Sequence, residues 1–104
     1  MEPFAYLQNR LHCERVPLAR IAEQYGTPAY VYSRAAILEN FSRILSGLAG
    51  VPSLVCYSVK ANSNLKILRL LGEAGAGFDI VSGGELARVV RPGADPGVNG
   101  HWLA

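Results

Sequence analysis

The feature that most constrains this chain is the nearly unbroken apolar run Ser53–Val59, reading SLVCYSV. It is too short for a buried helix and does not alternate polar with apolar residues. A strand of this composition has to be covered on both faces, the situation of a strand inside a parallel sheet. A parallel neighbour requires a crossover, usually a helix. The next residues supply one. Leu65, Ile67, Leu68, Leu70, Leu71 and Ala74 make a segment, Leu65–Ala74, that is apolar nearly all round. Asn64 is placed to cap its start and Gly75 to end it. A short strand, Gly77–Val81 (GFDIV), follows, and then a helix over Gly83–Val90 closed by Pro92 and Gly93. Ser82 and Glu85 have capping-box spacing at its start. The order strand, helix, strand, helix predicts an α/β fold with a parallel sheet and right-handed crossovers.

Upstream, residues 2–16 lack a helical period and read as extended. Pro17–Tyr25 reads as a helix, with Pro17 at its first position, Leu18, Ile21 and Ala22 on one face, and Gly26 at its C-cap. Pro28–Tyr32 (PAYVY) is β-branched and aromatic and reads as a strand. Ser33 is placed to cap a helix over Arg34–Leu48, whose Ile37, Leu38, Phe41, Ile44, Leu45 and Leu48 form one stripe.

Bulk properties narrow the function classes. The chain has 104 residues, is 50% hydrophobic and is 17% charged, which suits one small globular domain. A net charge of +2 without runs of Lys or Arg argues against a nucleic-acid partner. The N-terminal residues do not form a signal peptide, and no apolar stretch is long enough to cross a membrane. A soluble, cytoplasmic protein is expected. Cys13 and Cys56 lack metal-ligand spacing, so no metal is expected. They read as reduced thiols, with a Cys13–Cys56 disulfide as the alternative.

Two motifs could carry chemistry. In Cys56-Tyr57-Ser58-Val59-Lys60-Ala61-Asn62, Lys60 falls at the carboxyl end of the apolar strand. Active sites of α/β folds form at that end. An amine partly desolvated there favours its neutral, nucleophilic form. Lysine is the side chain that offers a primary amine for imine formation. Position alone still favours a solvated lysine at a strand end. In Gly77-Phe78-Asp79-Ile80-Val81-Ser82-Gly83-Gly84-Glu85, Asp79 lies in the strand after the Lys60 unit. It could meet the Lys60 ammonium or orient a cofactor. Equally, it could bond backbone amides near the next helix. Glu85 is better explained by capping. The pair Gly83-Gly84 opens a helix whose amides could bind an anion, but it is too short for a phosphate loop.

CYSVKANSN, followed after one helix by GFDIVSGGEL, resembles the pyridoxal 5′-phosphate (PLP)-dependent ornithine/diaminopimelate/arginine decarboxylase family. The segments YGTPAYVYS and FAYLQNRLHCERVPLARIA are most similar to those of the bacterial diaminopimelate decarboxylases. The resemblance covers roughly residues 4–96. It implies the N-terminal part of an alanine-racemase-like PLP-binding (β/α)₈ barrel. Residues 1–33 would belong to a β-domain, residues 34–96 to the first barrel units, and residues 97–104 to an atypical tail. It implies that Lys60 forms a Schiff base with PLP and that Asp79 is the motif aspartate near it. The implied reaction is conversion of meso-2,6-diaminopimelate to L-lysine with loss of CO₂, by a homodimer acting on a small amino-acid substrate.

The resemblance also implies a third barrel strand after Asp95-Pro96. GVNGHWLA, residues 97–104, does not read as that strand. It reads as a foreign tail of the kind a frameshift or early stop produces, and His101 and Trp102 are assigned no role. A (β/α)₈ barrel needs about 250 residues. The chain by itself is therefore expected to bind PLP weakly or not at all and not to decarboxylate. The alternatives are an ornithine, arginine or carboxynorspermidine decarboxylase, a non-catalytic PLP-binding barrel protein, and a fragment without a ligand.

Overall fold

The structure is a computed structural model that describes residues 2–90 and 102–103. The chain forms two compact units, Met1–Arg43 and Ile44–Ala104.

The first unit opens with a three-stranded antiparallel sheet: β1 (Phe4–Leu7), β2 (Arg10–Cys13) and β3 (Val16–Pro17). Leu7 pairs with Arg10, so Gln8 and Asn9 form a two-residue hairpin turn. Their φ angles are 50° and 61°. Positive φ at both positions is what a type I′ turn requires, because its twist matches that of the flanking strands. Helix α1 (Leu18–Tyr25) follows directly. Pro17 lies just outside it as the extended N-cap (φ −62°, ψ 131°) rather than in its first turn, and Gly26 ends it with φ 82°.

Helix α2 (Arg34–Gly47) starts where Ser33 caps it, the Ala36 amide donating to Ser33 Oγ at 3.1 Å. Along the apolar stripe of α2 only Phe41 is buried, while Ile44 and Leu45 are exposed. The strand expected at Pro28–Tyr32 does not form. Strand preference largely reflects packing on a paired, pleated surface. No described strand pairs with this segment, and Tyr30 is 92% exposed.

The second unit has the expected alternation: β4 (Cys56–Ser58), α3 (Leu65–Glu73), β5 (Gly77–Asp79) and α4 (Gly83–Val90). β4 and β5 are parallel, with Cys56 opposite Gly77, Tyr57 opposite Phe78 and Ser58 opposite Asp79. Each strand is shorter than its apolar run because the ladder extends only where both backbones meet. The core is a cluster of Val59, Leu68, Phe78, Ile80 and Val89, with Tyr57 packed against it. It takes one or two residues from each strand unit and one from each helix. Burial of this cluster is what fixes the two strands side by side.

Caps set the helix starts. The Lys66 amide donates to Asn64 Oδ1 at 2.9 Å, and the Glu85 amide donates to Ser82 Oγ at 3.1 Å. Glu85 Oε1 reaches back, but it accepts from the Val81 amide at 3.3 Å rather than from Ser82. The helix end expected at Pro92 and Gly93 lies outside the described residues.

Within GVNGHWLA, which does not read as a barrel strand from its residues, two residues do pair. Trp102–Leu103 forms β6, parallel to β5, with Phe78 opposite Trp102 and Asp79 opposite Leu103. β5 is thereby the central strand of the order β4-β5-β6. Ladder bonds are made by backbone groups, so an open edge accepts a segment whose side chains carry no strand pattern. His101 lies outside the described residues. Among the described residues, no helix is long and apolar enough to cross a membrane.

Two expectations follow from this packing. Phe78 is fully buried at the centre of the cluster, so Phe78→Ala should cost about 3–5 kcal/mol, and urea unfolding of the second unit should shift accordingly. Cys13 is buried and free. Its thiol is raised above the ordinary range by burial and, secondarily, by the Glu14 carboxylate. A raised thiol favours the protonated native state, so stability is retained below the free-cysteine value and falls as pH rises through it. Alkylation of Cys13 at about pH 8 should be slower in the folded chain than in urea, as peptide mapping would show.

Candidate active site

The site forms where the carboxyl ends of β4 and β5 lie side by side. β4 stops at Ser58, and the chain then makes a single 3₁₀ turn, Val59–Ala61. Lys60 is the middle residue of that turn, two positions beyond the strand rather than on its last residue. The cause is Val59, which is 0% exposed and turned into the core. Burying Val59 bends the backbone and sends Lys60 outward, where it is exposed. The partial desolvation expected for its amine is therefore not provided by the described residues.

The turn is held on its far side as well. Tyr57, half-buried on β4, donates its hydroxyl to the Asn62 carbonyl at 2.9 Å. Asn62 Oδ1 accepts from the Asn64 amide at 3.0 Å, and Asn64 caps α3. From the other crossover, Arg88 Nη1 on α4 donates to the Ser63 carbonyl at 3.3 Å. Asn64 is the cap expected from the sequence; Tyr57, Asn62 and Arg88 carry no role read from it. Tyr57 stands inside the quoted lysine motif, but a hydroxyl-to-carbonyl bond across five residues has no periodic signature. Arg88 is an exposed helix residue with no mark of its own.

Asp79 is the last residue of β5, half-buried and opposite Ser58 in the parallel register. It therefore stands at the same sheet edge as the Lys60 turn. Two of the contacts expected for Asp79 are not made among the described residues. It makes no ion pair with Lys60, and it accepts no bond from the amides that open α4. The ion pair that is described, Arg69–Glu73 at 2.9 Å, lies within α3. Asp79 is thus a half-buried carboxylate available to a ligand group, two register positions from a free primary amine.

Beyond it, Ile80, Val81, Ser82, Gly83 and Leu86 line an open depression of about 290 Å³ at the start of α4. The Glu85 and Leu86 amides are taken by Ser82. A Cβ on Gly83 would meet nothing within 4 Å, so the space above that helix start is clear. Among the described residues, no group of three His, Cys, Asp or Glu could hold a metal.

This donor set fits a planar aldehyde cofactor. It presents an exposed primary amine for the carbonyl carbon, a carboxylate at the same sheet edge, and an open, mostly apolar depression at the same strand ends. PLP is such a group, and Lys60 and Asp79 are the residues that could hold it.

The comparisons with known proteins concern this same region. Residues 34–98 match the family model described as pyridoxal-dependent decarboxylase, pyridoxal binding domain. The chain is 55% identical over 96 residues to the diaminopimelate decarboxylase of Pseudomonas aeruginosa, covering 92% of this chain and 23% of that protein. It is 50% identical over 97 residues to that of Vibrio cholerae, with the same two shares. The crystal structure of diaminopimelate decarboxylase from M. jannaschii superimposes with a TM-score of 0.82 at 32% identity, covering 96% of this chain and 24% of that one. A second crystal structure of that protein is a co-complex with L-lysine. The chain thus spans about a quarter of the length of the relatives it matches. Its fold is the corresponding part of an incomplete PLP-binding α/β barrel. With the family model covering more than half of its residues, this chain belongs to the pyridoxal-dependent decarboxylases, within their pyridoxal binding domain.

Proposed function

We propose that this chain carries the cofactor lysine of a PLP-dependent decarboxylase that converts meso-2,6-diaminopimelate to L-lysine. One observation carries the reading. Lys60 and Asp79 stand at adjacent carboxyl ends of parallel strands, inside the segment that matches the pyridoxal binding domain. In this reading Lys60 holds the cofactor aldehyde through its Nζ, and Asp79 keeps positive charge close to that nitrogen. When bound, PLP supplies the electron sink for loss of CO₂. The choice of diaminopimelate is supported by the names of the relatives above. Ornithine, arginine and carboxynorspermidine remain the rival substrates within the same chemistry.

A homodimer is read for the assembly, as the family resemblance implies for full-length members. Two free thiols support a cytoplasmic setting. Because Lys60 is exposed, this chain alone leaves the reacting nitrogen in water. Electrostatic stabilisation of a reaction is far weaker there than in a closed site. The 104-residue chain is accordingly read as a weak binder of PLP that does not turn over substrate.

Lysine occurs only at Lys60 and Lys66, which makes the test simple. Incubation with PLP, reduction with borohydride and peptide mapping should place the pyridoxyl group mainly on Lys60, and Lys60→Ala should remove it. Equal labelling of Lys66 would sink the assignment, and release of CO₂ from diaminopimelate by this chain would overturn its inactivity. For Asp79, the Asp79→Asn variant should lower the Lys60 adduct yield by about two- to fivefold, about 0.5–1 kcal/mol, the scale of an exposed charge pair. An unchanged yield would remove Asp79 from the site.

A further inference from the structure

We propose that Tyr57 and Arg88 are positioning residues that set where Lys60 presents its amine. The inference rests on the reading of Lys60 as the PLP lysine. It goes beyond that reading by naming two side chains that hold the lysine without touching the cofactor.

The geometry is a two-sided clamp on the backbone around Lys60. On the near side, Val59 is sealed in the core at 0% exposure. On the far side, two consecutive carbonyls are each held by a side chain from a different element. Tyr57 Oη, from β4, donates to the Asn62 carbonyl at 2.9 Å. Arg88 Nη1, from α4, donates to the Ser63 carbonyl at 3.3 Å. Tyr57 is itself fixed, because it packs on the Val59, Leu68, Phe78, Ile80 and Val89 cluster. Its hydroxyl therefore closes a loop over Ser58, Val59, Lys60 and Ala61 against a rigid base. Asn62 Oδ1 and Asn64 Oδ1 then continue the chain of bonds into the first turn of α3.

The two anchors differ in strength. The Tyr57 bond is short and half-buried, where a hydrogen bond counts for more than in water. The Arg88 bond is longer and exposed. With both in place, Lys60 Nζ moves only through its own side-chain rotations. Without the Tyr57 bond, the backbone between the buried Val59 and Asn62 loses the side-chain anchor on its far side. Arg88 adds a link from the crossover after Asp79 back to the lysine turn, so the two halves of the candidate site shift together. A small misplacement of a reacting group can cost a large factor in rate.

Lys66 serves as the internal reference for the test. The 104-residue chain and its variants are incubated with PLP, reduced with borohydride, and mapped for the ratio of pyridoxyl label on Lys60 to that on Lys66. Tyr57→Phe removes the hydroxyl but keeps the ring in the core. It should lower the ratio by about fivefold or more, about 1 kcal/mol, the scale of one hydrogen bond. Arg88→Met should lower it about twofold, and Arg88→Lys should restore part of the loss. General unfolding would expose both lysines alike and bring the ratio to about one, with loss of the far-ultraviolet helical signal. A ratio unchanged in both Tyr57→Phe and Arg88→Met, with wild-type labelling still centred on Lys60, would overturn the clamp and leave the PLP-lysine reading standing. Wild-type labelling without preference for Lys60 would overturn both. If Tyr57→Phe fails to fold, the exposed Arg88→Met and its lysine rescue decide the matter.

Discussion

Burial of five apolar side chains, Val59, Leu68, Phe78, Ile80 and Val89, is the interaction on which the rest of the second unit depends. The cluster joins both strand units and both helices. It holds β4 and β5 in the register that sets Ser58 opposite Asp79. Nothing else described in this unit could do so. The ladder between these strands is three residues long, and the described ion pair is an exposed one within a single helix. An exposed pair of this kind contributes little to stability. Position of the candidate site is thus a by-product of core packing rather than of interactions made within the site.

Val59 shows how directly the two are coupled. Its burial ends β4, starts the 3₁₀ turn and turns Lys60 out of the sheet. A residue whose own contribution is apolar burial decides where the amine goes. Asp79 has a similar relation to Phe78 and Ile80, its buried neighbours on either side. Alternation along the strand leaves Asp79 less buried than both. The lysine and the carboxylate are therefore each placed by hydrophobic residues adjacent to them in sequence.

Much of this was legible in the sequence because the signals were local. Helices α1 and α2 were marked by an apolar stripe, α3 by apolar residues nearly all round and α4 by its capping-box spacing, and Ser33, Asn64 and Ser82 cap as their chemistry requires. The sequence readings failed where a partner was needed. PAYVY has strand-forming residues but no described strand beside it. The α2 stripe has the correct period, yet Ile44 and Leu45 remain exposed. GVNGHWLA lacks a strand pattern, yet Trp102–Leu103 pairs with the open edge of β5, since backbone bonding does not consult side chains. The clamp by Tyr57 and Arg88 was equally unreadable, because both bonds end on carbonyls that every residue carries.

The sequence by itself determined the alternation of strands and helices from Ser53 onward and the helix caps, and it marked Lys60 and Asp79 as candidates for chemistry. Spacing of apolar residues and the identity of a primary amine are properties of the chain before it folds. Only the tertiary structure decided that Lys60 sits in a turn past the strand, that Asp79 shares its sheet edge without an ion pair, and that side chains from β4 and α4 hold the turn between them. Those outcomes depend on which residues the core buries and which backbone groups then lie within hydrogen-bond reach, and neither is settled until distant segments pack.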